Sequence, residues 1–307
     1  MQLVDLDQPT RNPGEVLVKV IASGVNYIDT YQRAGVENYQ KPLPFVMGLE
    51  GSGEVIEADE DSKFLAGDVV AWPFSPGSYA ELAVVSENKL VKVPKAVTAK
   101  TAAAVMLQGL TAHYLANSTL KVNEKTTALV HAGSGGVGQL LVQMIKNKGG
   151  RVIATTSTEE KKQALLDLGS DEVIGYEGFA GQVRELTQGN GVDVVYDGVG
   201  KNTYMQSLES LQKRGLLALF GASSGPVPAM DLQLLNSMGS LFITRPTLAD
   251  YIATEEELAS RSRDIFSDIE LGNLNISIHH EYSLANAAAA HKDLESRKTS
   301  GKLLLIP

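Results

Sequence analysis

Four glycines within six residues, Gly133, Gly135, Gly136 and Gly138, carry the strongest chemical constraint in this 307-residue chain. A diphosphate reaches main-chain N–H groups only where no Cβ stands in its way. Gly133, Gly135 and Gly138 fit G-x-G-x-x-G, and Gly136 lies inside it. The flanks supply what such a loop needs. Ahead of it, Ala128-Leu129-Val130 reads as a strand buried on both faces. Behind it, Val137, Leu140, Leu141, Met144 and Ile145 share one helical face, and Gly149-Gly150 closes the helix. The helix N-terminus adds unpaired N–H donors and the positive end of a dipole. A glycine turn alone would also serve as a tight strand–helix connection without ligand. Strand and helix on both sides favour a dinucleotide.

The next strand decides which dinucleotide. An NAD site places Asp or Glu at its tip, to accept from the ribose 2′-hydroxyl. Here the strand runs out through Ala154-Thr155-Thr156-Ser157-Thr158 and carries no acid. Ser157 leaves room for a 2′-phosphate and Lys161, one helical turn on, supplies positive charge. Glu159 and Glu160 read as solvent-facing carboxylates of a first helical turn. The expected cofactor is NADPH. The plain alternative for Lys161 is a surface lysine beside Lys162.

Other chemistries are narrowed by composition. With no cysteine, disulfides, thiolate catalysis and Cys-built zinc sites are excluded, in keeping with a reducing, cytoplasmic setting. The five histidines, His113, His131, His279, His280 and His291, show no metal-ligand spacing. His113 and His131 read as packing residues, and His279-His280 as a solvated strand end. A net charge of −9 argues against nucleic acid or a membrane surface as general partner. The first residues show no signal-peptide pattern, and no apolar run is long enough to span a bilayer.

Positioning these residues takes two domains. Residues 1–106 read as β-rich: Val16-Leu17-Val18-Lys19-Val20, a glycine-punctuated strand over 48–56, Val69-Val70-Ala71-Trp72 and a strand opening at Gly77-Ser78-Tyr79, which together suggest a small barrel-like sheet. From about Thr101 helices and strands alternate, with strands at 152–154, 172–174, 192–196, 216–220 and 241–244. That alternation gives an α/β, doubly wound parallel sheet over 107–247. Residues 248–307 hold helices near 255–269 and 285–294, a strand at 276–278 and a last strand at 302–306. This tail is expected to return to the first domain.

Several segments, taken in order, resemble the quinone oxidoreductase branch, ζ-crystallin-like, of the medium-chain dehydrogenase/reductase superfamily. They are Gly24-Val25-Asn26-Tyr27-Ile28-Asp29-Thr30-Tyr31, Gln108-Gly109-Leu110-Thr111-Ala112, the loop from Ala132 to Gly138, Asp197-Gly198-Val199-Gly200, Phe220-Gly221-Ala222-Ser223-Ser224-Gly225, Thr244-Arg245-Pro246, and the end from Leu294 to Pro307. The resemblance covers nearly the whole chain and implies a Rossmann domain beside a GroES-like partial barrel. It also implies roles. Ser157, Lys161 and Tyr176 would hold the 2′-phosphate, while Gly135, Gly136 and Val137 would cradle the pyrophosphate. Val199 and the stretch Phe220, Gly221, Ser223, Ser224 would line the path to the nicotinamide. Thr111, Thr244 and Arg245 would flank its far end, Arg297 would close over it, and Asn26 and Tyr31 would face the substrate. Against the zinc-dependent branch, Asn26 lies near the catalytic cysteine position, and Leu49 replaces a histidine, leaving Glu50 alone. A strand that the family carries ahead of Val16 is missing.

The activity so implied is zinc-independent hydride transfer from NADPH to a quinone-like acceptor in a cleft between the domains. Tyr31, assisted by Asn26, is the candidate donor to the developing oxyanion. An NADPH-dependent alkenal or enone reductase fits the same residues. So does a cofactor-binding redox sensor or RNA-binding protein, though the acidic balance counts against RNA. The resemblance implies a homodimer, and Leu241-Phe242-Ile243 is an apolar strand at the expected sheet edge.

Overall fold

Short valine-rich runs and glycine turns set out the first part of the chain. In the computed structural model, which describes residues 1–36 and 39–307, it forms β1 (Glu15–Val25), α1 (Tyr27–Ala34), β2 (Glu50–Glu57), β3 (Val69–Trp72), β4 (Leu82–Ser86), β5 (Val91–Lys92) and α2 (Ala99–Tyr114). The βα alternation follows: β6 (Thr127–Val130), α3 (Gly136–Asn147), β7 (Arg151–Thr155), α4 (Glu159–Asp167), β8 (Glu172–Ile174), α5 (Phe179–Leu186), β9 (Val192–Asp197), α6 (Tyr204–Ser210), β10 (Leu211–Leu219), α7 (Gln233–Ser237) and β11 (Phe242–Thr244). The chain ends with α8 (Leu248–Tyr251), α9 (Glu255–Glu270), β12 (Ile278–Ser283), α10 (Ala287–Glu295) and β13 (Lys302–Ile306). These elements form two compact units, residues 1–110 with 251–307, and residues 111–250.

The first unit is a seven-stranded sheet in the order β12-β13-β1-β2-β3-β5, with β4 also paired to β1. Two irregularities in the β1–β2 register bend the long β1. It can then pair with β4 along Glu15–Lys19 and with β13 along Ser23–Val25. Val18, Val70, Trp72 and Val85 are fully buried on this sheet.

The second unit is a parallel sheet in the order β11-β10-β9-β6-β7-β8. From β6 the chain winds outward through β7 and β8, then returns beside β6 and winds the other way through β9, β10 and β11. This is the doubly wound α/β arrangement expected from the sequence, and ligands of such sheets bind where the winding reverses, at the carboxyl ends of β6 and β9. Leu129, Ile153, Val195 and Leu217 have no exposed surface at its centre. Full burial of each such side chain contributes about 1.5–3 kcal/mol.

Some elements differ from the sequence reading. α1 reads in the sequence only as a motif. It forms because Asn26, extended at φ −131°, caps its start, with the Asn26 N–H donating to Asp29 Oδ2 at 2.8 Å. Gly35 ends it at φ +63°, a left-handed conformation. Residues 77–79 do not open a strand: the Gly77 and Tyr79 N–H groups donate to the carbonyls of Gly48 and Met47, outside any ladder. β12 begins at Ile278, where the 276–278 run ends. Among the described residues no helix is long and apolar enough to cross a membrane.

Candidate functional site

The second unit gathers the residues suited to a nucleotide. β6 leads into Ala132, whose positive φ of +49° turns the chain sharply, and α3 begins at Gly136. A Cβ on Gly138 would overlap the Ala132 carbonyl oxygen and lie 2.8 Å from both Cα and O of Gly133. Loop and helix therefore meet backbone to backbone. Gly133 N–H donates to the Thr155 carbonyl and Gly135 N–H to that of Ala132. Tyr176 joins this cradle directly, its hydroxyl accepting from Ala132 N–H at 3.0 Å.

Ser157 follows the end of β7 and is exposed. Thr158 caps α4 by accepting from Lys161 N–H, which places Ser157 and Lys161 around one helix start. Burial lowers the Lys161 pKa, and Glu160 partly opposes this. Glu159 and Glu160 are exposed in the first turn.

At the tips of β9 and β10 the structure knots Val199, Phe220, Gly221, Ser223 and Ser224 together. Ser223 N–H donates to the Gly198 carbonyl and Ser224 N–H to that of Val199. Ser224 Oγ reaches the same Val199 oxygen at 2.7 Å. The Phe220 ring lies over Gly198, 2.9 Å from where a Cβ would stand. Thr111 is buried, Thr244 ends β11, and Arg245 Nη1 donates to the Leu219 carbonyl at the end of β10.

The knot is wired to the cradle through a histidine. Ala132 N–H donates to Thr155 Oγ1 at 3.2 Å, and Thr155 Oγ1 lies 3.0 Å from His131 Nδ1. On the other side His131 Nε2 is 3.0 Å from Ser207 Oγ, which donates to Asp197 Oδ2. The carboxylate accepts, so Ser207 receives a proton from Nε2, and Nδ1 accepts from Thr155. Burial pushes the His131 pKa down from 6.5 to about 4. The folded protein then keeps His131 neutral while the unfolded chain protonates, so its contribution is whole above pH 6.5 and is lost as pH falls toward 4, by up to about 3 kcal/mol. Asp29, pushed by burial up to about 7, loses stability with rising pH over the same window, while His291, lowered to about 4, gains it. Those two nearly offset. Urea unfolding of a His131→Gln variant should therefore show a smaller loss between pH 7 and pH 4.5 than the parent shows; an equal loss would remove His131 as the cause.

The first unit presents a different site. Tyr31 lies on α1, half-buried, with its ring centroid 6.4 Å from Tyr27 and 5.3 Å from Tyr39. Tyr39 is an aromatic neighbour that the sequence reading omits. Arg297, exposed and at φ +61°, sets its guanidinium near the Tyr27 hydroxyl; burial is the larger influence there and raises the Tyr27 pKa. Asn26 is not aimed at solvent. Its Nδ2 donates to Glu50 Oε2 at 2.8 Å and to the Gly24 carbonyl at 3.3 Å, and its Oδ1 accepts from Lys302 Nζ at 2.8 Å. The Asn26 amide is thus engaged within the protein, its two protons and its oxygen all having partners. Lys302, which the sequence reading passes over, also pairs with Glu50 Oε2 at 2.5 Å. Glu50 is thus not alone, and the residues do not fit a zinc ion. There is no cysteine, Glu50 is neutralised by an ammonium, and no three His, Cys, Asp or Glu converge among the described residues.

Two family models match this chain. Residues 12–95 match the alcohol dehydrogenase GroES-like domain and residues 136–260 the zinc-binding dehydrogenase model, which defines the class as a medium-chain dehydrogenase/reductase. A quinone oxidoreductase of Pseudomonas aeruginosa is 44% identical over 300 residues, covering 96% of this chain and 92% of that protein. The structure of Escherichia coli quinone oxidoreductase complexed with NADPH superposes with TM-score 0.95 at 39% identity, covering 100% of this chain and 95% of that one. A mycobacterial protein complexed with NADPH gives TM-score 0.96 at 46% identity, with 99% and 95% covered. The chain belongs to the quinone oxidoreductase family.

Proposed function

We propose that this protein is an oxidoreductase that reduces a quinone-like acceptor at the expense of NADPH. The observation that carries the reading is the bare main-chain cradle after β6, beside a β7 that ends on hydroxyl residues and no acid. The relatives named quinone oxidoreductases and the structures complexed with NADPH support it, and they favour a quinone over an alkenal.

NADPH fits the residues present. Gly135, Gly136 and Val137 would cradle the pyrophosphate, Gly136 and Val137 through their N–H groups and Gly135, whose N–H is held by the Ala132 carbonyl, by leaving the approach free of a Cβ. Ser157, Lys161 and Tyr176 would take the 2′-phosphate. Val199, Phe220, Gly221, Ser223 and Ser224 would line the way to the nicotinamide, with Thr111, Thr244 and Arg245 at its far end and Arg297 over it. Bound there, NADPH would supply a hydride. The protein's share is then to orient the acceptor and deliver a proton to its oxygen. Tyr31, held in an aromatic row by Tyr27 and Tyr39, is the donor in this reading. Asn26 serves it by capping the helix that carries it.

Removing that hydroxyl in Tyr31→Phe should lower kcat on a quinone by about a hundredfold, with KM for NADPH unchanged; unaltered turnover would take Tyr31 out of the chemistry. A panel of quinones and enones, assayed for NADPH consumption, tests the function. Turnover of enones alone would overturn the acceptor, and binding of NADPH without any turnover would favour a sensor.

The protein is further proposed to be a cytoplasmic homodimer. β11 is an edge strand of its sheet, and Phe242 on it is 61% exposed. An apolar edge with unpaired backbone groups invites a second copy. Light scattering should report twice the chain mass, and Phe242→Lys should return the monomer; a monomeric parent at micromolar concentration contradicts the assignment.

A further inference from the structure

We infer that Lys302 and Glu50 are positioning residues, acting through Asn26 to hold the helix that carries Tyr31. The inference rests on the quinone reductase reading above. Three groups meet out of reach of water: Asn26 is 3% exposed, Glu50 0% and Lys302 1%. They come from the cap of α1, the first residue of β2 and the first residue of β13. A fourth element joins through Glu50 Oε1, which accepts Leu107 N–H of α2 at 2.6 Å. Even Gly24 is shaped by the cluster. A Cβ there would run into Glu50 Oε2 and lie 2.7 Å from the Ala103 carbonyl oxygen.

The chemistry of the three groups is one-directional. An ammonium only donates and a carboxylate only accepts, whereas an amide does both. Lys302 on one side and Glu50 on the other therefore permit one orientation of the Asn26 amide. Two apolar residues of the same volume would fill the space equally well, and a buried ion pair is weak support for stability by itself. What the pair adds is the fixed amide, and with it the start of α1. That start matters because α1 has only eight residues, too few to hold its own direction. Tyr31 lies five positions after Asn26. Other ties reach the same helix: Tyr79 Oη donates to Asp29 Oδ2 at 3.0 Å and Tyr27 Oη to the Leu294 carbonyl at 3.0 Å, while the Arg33–Glu295 pair is at the surface. The cluster around Glu50 is the tie at the helix start.

The decisive comparison uses the full chain with NADPH and a benzoquinone. Glu50→Gln/Lys302→Met removes both charges at nearly constant volume. Asn26→Leu removes the amide and leaves the pair. Each should lower kcat by about tenfold or more, with the NADPH dissociation constant within about twofold of the parent. Combining all three changes should cost no more than Asn26→Leu alone, since the pair acts only through the amide. Hydrogen exchange gives a readout apart from turnover: amides of residues 29–34 should exchange about tenfold faster in Glu50→Gln/Lys302→Met, and those of β6 and β9 at the parental rate. A kcat within about twofold of the parent, losses that multiply in the triple variant, or unchanged exchange in α1 would overturn the inference. Should the charge-free pair fail to fold, Asn26→Leu with parental kcat overturns it alone. A parent that turns over no quinone sinks the function instead, while the exchange result still judges the cluster.

Discussion

Gly138→Ala is expected to weaken NADPH binding by about a hundredfold, equivalent to about 3 kcal/mol. The added Cβ would overlap the Ala132 carbonyl oxygen and stand 2.8 Å from Gly133 Cα and O. All three are backbone atoms, so no side chain can rotate away. Either α3 slides from the loop or the loop shifts, and either change displaces the start of α3 at Gly136, where the pyrophosphate is proposed to bind. A fluorescence titration with NADPH reads the loss directly. Gly181→Ala is the matched control. It lies within α5, and a Cβ there meets nothing within 4 Å. That change should leave binding alone and add up to about 1 kcal/mol of stability through helix propensity. If the two variants bind alike, the close approach of loop and helix is not what shapes the cradle.

Asp197→Ala should be the most destabilising single change in the second unit. The carboxylate has no exposed surface. It accepts from Val199 N at 2.8 Å, Gly200 N at 3.0 Å, Thr203 Oγ1 at 2.7 Å and Ser207 Oγ at 2.9 Å. Truncation strands all four donors in the interior and cuts the wire that runs through Ser207 and His131 to the cradle. A loss on the order of 4 kcal/mol follows, or about 10 °C in melting temperature. Asp197→Asn should lose roughly half as much, because one oxygen still accepts and the hydroxyls can turn to accept from the new amide. Calorimetry on the two variants checks the order. Equal melting points for Asp197→Ala and the parent would show that the carboxylate does not organise this strand end.

The parts legible in the sequence are those whose physics is local. Val137, Leu140, Leu141, Met144 and Ile145 repeat with a helical period, and glycines mark where loop and helix touch, so β6, its turn and α3 stand out. The absence of an acid after β7 is equally local. α1 was within reach of the same logic: Asn26, Asp29 and Gly35 are a cap, its box partner and a terminator. Reading that segment only as a motif hides the helix. The extent of β12 past Ile278 could not be set, because His279, His280 and Glu281 are all exposed and give no alternation. Lys302 was out of reach for a different reason. A lysine ahead of three leucines marks only the start of a strand, and its burial depends on a carboxylate 252 positions away. No period or spacing reports such a pair. Its one trace is Gly24, whose missing side chain leaves room for Glu50.

The two dinucleotides, offered separately with the same benzoquinone and followed through nicotinamide absorbance, put the account to its most direct test. A cradle of bare amides beside Ser157, Lys161 and Tyr176 predicts that kcat/KM for NADPH exceeds that for NADH by about a hundredfold, the worth of a charge-assisted phosphate contact. Equal use of the two, a preference for NADH, or no oxidation of either would contradict it.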